Sequence, residues 1–363
     1  MERSRVPLDA HAEVVRADAT DPVALLDGQS STRVPELVPV RYGRMLVSPF
    51  TFYRGAAVIM AEDLAGGPRT GLVTQLCGDA HLSNFGVFAS PERRLVFDLN
   101  DFDESHPGPF EWDVKRLAAS LEIAGRANQY ARKQRRAIVL SAVRTYRHTI
   151  RELAAMTNLA VWYAHQAVQP GLPGLRAIRS KEVRRTVRKS LDKAYSRDHV
   201  GSLKNLTETV AGRLRFVSNP PLIIPARDLD QPARATEELQ TWMARVLGDY
   251  SRTLSHDRRH LIDQYTFVDI ARKVVGVGSV GTRAWIILLR GADDLDPLIL
   301  QAKEATTSVL EPHTTPSEFR SHGERVVQGQ RLMQAYGDVL LGWHHSPRRR
   351  QAPHYYLRQL RDW

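Results

Sequence analysis

A single cysteine, Cys77, stands in 363 residues, so neither an intramolecular disulfide framework nor a cysteine-based zinc site is open to this chain. No apolar run approaches the ~18 residues of a membrane-crossing helix, and residues 1–7 carry no apolar leader core. A soluble, cytoplasmic protein with no membrane partner is expected. Internal repeats and low-complexity tracts are also missing. Acidic residues are in the minority: 51 Lys and Arg against 40 Asp and Glu leave a formal charge of +11. Such a surface suits nucleic acid, acidic membranes or phosphorylated ligands, although solvated helix faces account for it equally well. Apolar residues at 42% and charged ones at 25% exclude a disordered chain, and the length allows two lobes with their own cores. Cys77 itself reads as a small buried hydrophobe rather than a nucleophile.

What the sequence does contain is a dense polar stretch from Cys77 to Asp103. Gly78-Asp79-Ala80-His81-Leu82-Ser83-Asn84 packs an Asp, a His and an Asn into six positions. Leu95–Asp103 then sets Asp98, Asn100, Asp101 and Asp103 along an otherwise apolar strand. Phosphoryl transfer with a divalent metal needs such a set: one carboxylate to orient a hydroxyl, and an amide with a second carboxylate to hold the metal. Asp79 is the candidate for the first role. Asn84 with either Asp101 or Asp98 is the candidate for the second, and His81 shapes the loop. A hydrogen-bonded acidic turn is the plainer reading of the same residues.

Residues 1–35 read as a loose, polar arm. Ser48-Pro49 is a helix start, and the helix is expected to run to Ala65, before Gly66-Gly67-Pro68. Arg41, Arg44 and Arg54 cluster there, as surface charge or as contacts to a phosphate or an acidic strand. Leu72–Cys77 reads as a buried strand and Phe110–Ser120 opens an amphipathic helix. Long helices are expected over 131–168, 177–211 and 234–263, with a small hairpin of 213–217 and 222–225 between the last two. Beyond Tyr265 the texture changes to strands at 270–275, 282–289 and 297–302, a helix at 315–335, and strands at 339–343 and 354–360. The division predicted is an arm (1–35), a mainly helical lobe (36–264) and a β-rich lobe (265–363).

A second constellation lies in that last part. Gly276-Val277-Gly278-Ser279-Val280-Gly281 joins two expected strands. A dinucleotide fingerprint would open a helix, whereas a glycine-rich loop between antiparallel strands matches the flap over ATP phosphates. An ordinary hairpin turn is the competing reading. Lys303 ends the apolar run Leu298–Ala302, in the place of the strand lysine that meets the α- and β-phosphates, with Glu324 (rather than Glu318) on the next helix as its carboxylate.

Together these residues carry a resemblance. Gly78-Asp79-Ala80-His81 with Asn84 resembles the G-D-x-H-x-x-N loop of aminoglycoside-phosphotransferase-like small-molecule kinases, and Asp101-Phe102-Asp103 their metal-binding element. Trp112-Asp113 with Arg116-Leu117-Ala118 is similar to the helix whose Asp braces that loop. Residues 35–363, including Arg41–Gly55, Gly276–Thr282 and Gln301–Ala305, closely resemble the uncharacterised bacterial family named domain-of-unknown-function family 2252. The resemblance implies further helices past the point where Trp363 stands. It also implies an α+β, protein-kinase-like two-lobed fold and an ATP- and Mg²⁺-dependent phosphotransferase acting on a hydroxyl of an unidentified acceptor. Asp79 would be its base, Asn84 and Asp101 its metal ligands. In kinases the flap and lysine precede the catalytic loop; here they follow it, so the implied fold is circularly permuted. A kinase-fold AMP transferase is one alternative. A non-catalytic ATP or nucleic-acid binder working through the basic helices 131–151 and 181–193 is another, and the nucleic-acid reading is the less favoured.

Overall fold

The computed structural model describes residues 6, 7, 9–13, 16, 20–168, 181, 182, 184, 185, 189, 205–229, 235–344 and 353–360. It opens with four short helices: α1 (Pro22–Ser30), α2 (Val38–Met45), α3 (Pro49–Gly55) and α4 (Ala57–Ala65). Ser48 and Thr51 form a capping box at the start of α3, with Pro49 at its first position. The single helix expected from here to Ala65 is two. The chain breaks at Ala56, where Gly55 approaches Met45 so closely that a Cβ would meet its Cγ at 2.7 Å. Leu26, Met45, Ala56 and Ile59 form a small core under these helices, so the expected loose arm is packed from Pro22 onward.

The polar stretch follows on short strands. β1 (Val73–Leu76), β2 (Phe85–Ala89), β3 (Leu95–Leu99) and β4 (His106–Pro109) pair antiparallel as β1–β4 and β2–β3. Val73 is exposed, so β1 is not the fully buried strand its apolar run suggests. Three helices come next: α5 (Glu111–Ala127), α6 (Arg132–Ala154) and α7 (Asn158–Tyr163), the last capped by Thr157 where one helix to 168 was the expectation. Gln166–Ala167 forms β5 against β3. Most of the helix expected over 177–211 lies outside the described residues. Its end is instead strand β6 (Thr207–Val210), hairpinned to β7 (Arg213–Phe216). The alternation Thr207-Glu208-Thr209-Val210 and the two-residue turn Ala211-Gly212, both at positive φ (50° and 74°), explain why. β8 (Ile223–Pro225) pairs with a later strand and not with β7, which corrects the hairpin expected there.

After helices α8 (Ala235–Ser251) and α9 (His256–Ile262) come β9 (Thr266–Lys273), β10 (Ala284–Arg290), β11 (Pro297–Ala305), helix α10 (His322–Met333), β12 (Gly342–His344) and β13 (His354–Gln359). These strands and β8 make one antiparallel sheet in the order β12-β13-β11-β10-β9-β8. Met243, Val246 and Tyr250 of α8 pack with Ile270, Ile287, Leu300 and Leu357 of the sheet. The sheet therefore gathers β8, with α8 packed on it, from before residue 265 as well as β9–β13 from after it. On α10, Val326 and Val327 share a core with Tyr356, Phe102, Ala80 and Cys77, and this core joins the sheet to the polar stretch. Fold class is thus mixed α+β. Among the described residues no helix is long and apolar enough to cross a membrane.

Candidate active site

The loop after β1 is fixed by the helix that follows β4. Asp113, in the first turn of α5, accepts the N–H groups of Cys77 (2.9 Å) and Gly78 (3.1 Å), one on each carboxylate oxygen. Burial pushes the Asp113 carboxyl up to about 6 against those donors. Gly78 holds φ +79°, and a Cβ there would stand 2.2 Å from the Glu104 carbonyl oxygen, so only glycine fits. One turn on from Asp113, buried Arg116 reaches the carboxylate of Asp79 at 2.6 Å and the Tyr53 carbonyl at 2.8 Å. Its guanidinium lies 4.2 Å from the centre of the Tyr53 ring. Asn84 Nδ2 donates to the Asp79 carbonyl at 2.7 Å and closes the loop. His81 is buried with Nε2 3.8 Å from Asp79 Oδ2. Burial lowers its pKa, against the pull of the Asp79 charge.

The sheet supplies the opposite wall. Lys303 sits on β11 between Ala284 of β10 and Tyr356 of β13, only 4% exposed. Its Nζ lies 2.7 Å from Asp103 Oδ2 and 3.4 Å from Asp101 Oδ1. Tyr356 donates its hydroxyl to Asp103 Oδ1 at 2.6 Å, and Ser279 of the glycine-rich turn lies 3.3 Å from Oδ2. Burial opposes ionisation of Asp103, but the Lys303 charge and these donors hold its carboxyl below the usual range. Asp101 goes the other way: burial, then the Asp103 charge, raises it against the pull of Lys303. For Lys303 the two carboxylates outweigh burial and keep it protonated. Arg325 of α10 clamps the backbone around this pair through the carbonyls of Asp103 (2.8 Å), Thr306 (2.9 Å) and Ser105.

Between the two walls runs a cleft of about 960 Å³. Asp79, His81, Asn84, Asp101 and Asp103 line it together with Gly276, Gly278 and Ser279. The glycine-rich turn is anchored from outside the sheet: Val34 N–H donates to the Gly281 carbonyl at 2.8 Å, Arg33 to that of Val280, and Arg44 to that of Gly276 at 2.7 Å. Gly276 and Gly281 hold φ of +69° and +92°.

Most of the residues singled out in the sequence thus line one cleft; Lys303 and Gly281 do not line it themselves, and two more lie apart. Asp98 turns away from it: its carboxylate accepts from the N–H groups of Leu99 (2.8 Å) and Ala335 (3.3 Å). This leaves Asp101 as the strand carboxylate at the cleft. Glu324 sits in the first turn of α10, held at its N–H by Ser321 Oγ (3.5 Å), while the carboxylates around Lys303 are those of Asp103 and Asp101. Sequence reading missed Asp103 as the lysine's partner, and missed Tyr356, Arg325, Arg33 and Glu104. The two-residue alternation Asp101-Phe102-Asp103 carried the signal for Asp103, since it sends both carboxylates to one face and Phe102 into the core. Nothing in the local sequence marks Arg33 or Tyr356.

Residues 33–363 match a family model described as uncharacterized protein conserved in bacteria (DUF2252). The chain belongs to this family. The match takes in the loop of Asp79, the sheet and the glycine-rich turn, and leaves out residues 1–32, among them the cleft-lining Gly28, Gln29, Ser31 and Thr32. No curated protein and no solved structure matches the chain.

Proposed function

We propose that this member of the DUF2252 family is an ATP-dependent phosphotransferase with a circularly permuted kinase-like arrangement. The observation that carries the reading is a cleft lined by Asp79, the Asp101–Asp103 pair and the glycine-rich turn, with Lys303 bound to that pair from the sheet. The order of parts on the sheet supports it as well. The turn joins β9 to β10, the lysine is on β11, and a helix follows before the last two strands, as in the kinase set of flap, strand lysine and helix. The lysine's carboxylate partner on that helix is the element without a counterpart.

In this reading the nucleotide's phosphates lie under Gly276–Gly281, whose glycines let backbone N–H groups come close. Lys303 neutralises phosphate charge from a buried, permanently protonated position. Asp101, Asp103 and Asn84 offer hard oxygen donors, and two carboxylates sharing one lysine are a pair that a divalent cation relieves. Mg²⁺ held there would supply charge neutralisation of the β- and γ-phosphates. Asp79, fixed by Arg116, takes the proton of the acceptor hydroxyl as its oxygen bonds to the γ-phosphorus and the bond to the β-phosphate oxygen breaks, releasing ADP. Incubating the chain with ATP labelled at the α- or γ-position tests this against candidate acceptors. Label from the γ-position alone, lost in Asp79→Ala with nucleotide affinity kept, is the expected result. Transfer of α-label would mark an AMP transferase instead.

A further inference from the structure

The wall of the cleft built by the N-terminal segment carries two arginines, Arg54 and Arg33, that form no ion pair among the described residues, although Glu104, Asp103 and Glu304 act on Arg33 from farther off. Arg54, next to last in α3, lines the cleft. Its Nε is buried with no hydrogen-bond partner, and it joins none of the ion pairs found among the described residues. Arg33 lines the same cleft at 9% exposure; it donates to the Val280 carbonyl, and its Nε also lacks a partner. Nearby arginines are used differently. Arg41 donates to Ser30 Oγ at 2.7 Å and the Gly55 carbonyl at 3.1 Å, and Arg44 to Gly276, so these two brace the fold.

The carboxylates of the cleft are already matched. Asp79 has Arg116, Asp103 and Asp101 share Lys303, and Glu304 has Arg283 at 2.9 Å. Glu104 accepts Val309 N–H at 2.7 Å, and burial pushes its carboxyl up to about 7. A guanidinium left unpaired in a partly desolvated cleft is unfavourable, and its planar fork fits the two oxygens of a phosphate or carboxylate. Lys303 lies on the sheet, bound to Asp103 and Asp101, and does not itself line the cleft. Two observations place Arg54 at the cleft between the glycine-rich turn and the loop of the base. The Arg54 carbonyl packs under Gly278, 3.1 Å from where a Cβ would stand, and its charge acts on His81, two residues from Asp79. Arg54 therefore stands where an acceptor must pass between the turn and the base.

We propose that the acceptor is an anionic alcohol: Arg54, with Arg33 behind it, holds its phosphate or carboxylate group while its hydroxyl faces Asp79. This rests on the phosphotransferase reading and adds the substrate class to it. A cationic acceptor would meet like charge at that wall.

The test is calorimetric and uses the full chain. The protein is saturated with Mg²⁺ and the β,γ-imido analogue of ATP, and inorganic phosphate is then titrated in. Phosphate is expected to bind with the analogue in place. Arg54→Gln should weaken phosphate at least tenfold while analogue affinity stays within twofold, and Arg54→Lys should fall between. Unaltered phosphate affinity in Arg54→Gln overturns the acceptor assignment alone, as does phosphate that displaces the analogue. Failure of the wild-type chain to bind the analogue overturns the phosphotransferase reading and this inference with it. A comparison that needs no variant replaces phosphate by uncharged glycerol: glycerol should not bind at the same concentrations, and equal binding would contradict the proposal.

Discussion

Lys303 Nζ and Asp103 Oδ2, 200 residues apart in the chain, lie 2.7 Å from each other. Each side is set by packing that has nothing to do with the charge. The strand lysine is placed by its register between β10 and β13, and the aspartate by Phe102, which anchors its backbone in the core. The pair joins the loop that carries Asp79 to the sheet, so it is structural and chemical at once.

Lys303→Met should cost on the order of 3 kcal/mol, because it removes the cation bound to both Asp103 and Asp101 and leaves only Arg358, farther off, to offset their charge. Scanning calorimetry reads this as a lowered midpoint. Lys303→Met combined with Asp103→Asn should recover part of the loss, since the remaining charge is then single. A double variant no better than Lys303→Met would mean that packing around the lysine's stem, and not its charge, carries the effect.

Asp113 holds two buried N–H groups, and Asp113→Ala strands both. A loss of about 2 kcal/mol is expected, read as a lower urea midpoint at an unchanged denaturant slope. Asp113→Asn keeps an acceptor oxygen and should lose less. Equal losses in the two variants would place the role of Asp113 elsewhere.

Glu104 gives a pH signature. Its folded carboxyl is raised to about 7 by burial, above its ordinary value near 4.5. Between those two values the folded chain holds more protons than the unfolded one, so this group makes stability fall as pH rises from about 5 to 7. Asp113, raised to about 6, acts with the same sign in a lower window. Glu104→Gln should flatten the upper part of the decline and leave the variant more stable than wild type at pH 8, by about 1–2 kcal/mol. Urea unfolding at pH 5, 7 and 8 measures it. Parallel curves for the two chains would show that Glu104 is not the group that titrates.

The sheet was the most legible part of the fold. Apolar runs at Ile270–Val275, Thr282–Leu289 and Pro297–Ala302 fall on β9, β10 and β11 within a few residues. Near-continuous apolar strands buried on both faces leave little room for another structure. Residues 207–210 were less legible, because the charged residues before them suggest a helix while the strand depends on the left-handed turn at Ala211-Gly212. In the site, the loop and its brace could be read locally: Gly78, Asp79, Asn84, Asp113 and Arg116 lie within 39 consecutive positions. The partner of Lys303 could not. Asp98, Asp101, Asp103 and Glu324 are all suitable by type, and the choice is made by tertiary contacts, with Ala335 N–H taking Asp98 out of the cleft. Arg33 and Arg54 reach the site only because the packed α1–α4 helices lie beside the glycine-rich turn.

The most direct measurement is calorimetric titration of ATP into the full chain with and without Mg²⁺, alongside Lys303→Met shown to be folded by circular dichroism. The account predicts one site per chain that requires Mg²⁺, persists in Asp79→Ala and is lost in Lys303→Met. No binding by the wild-type chain, or binding indifferent to both Mg²⁺ and Lys303, would contradict it.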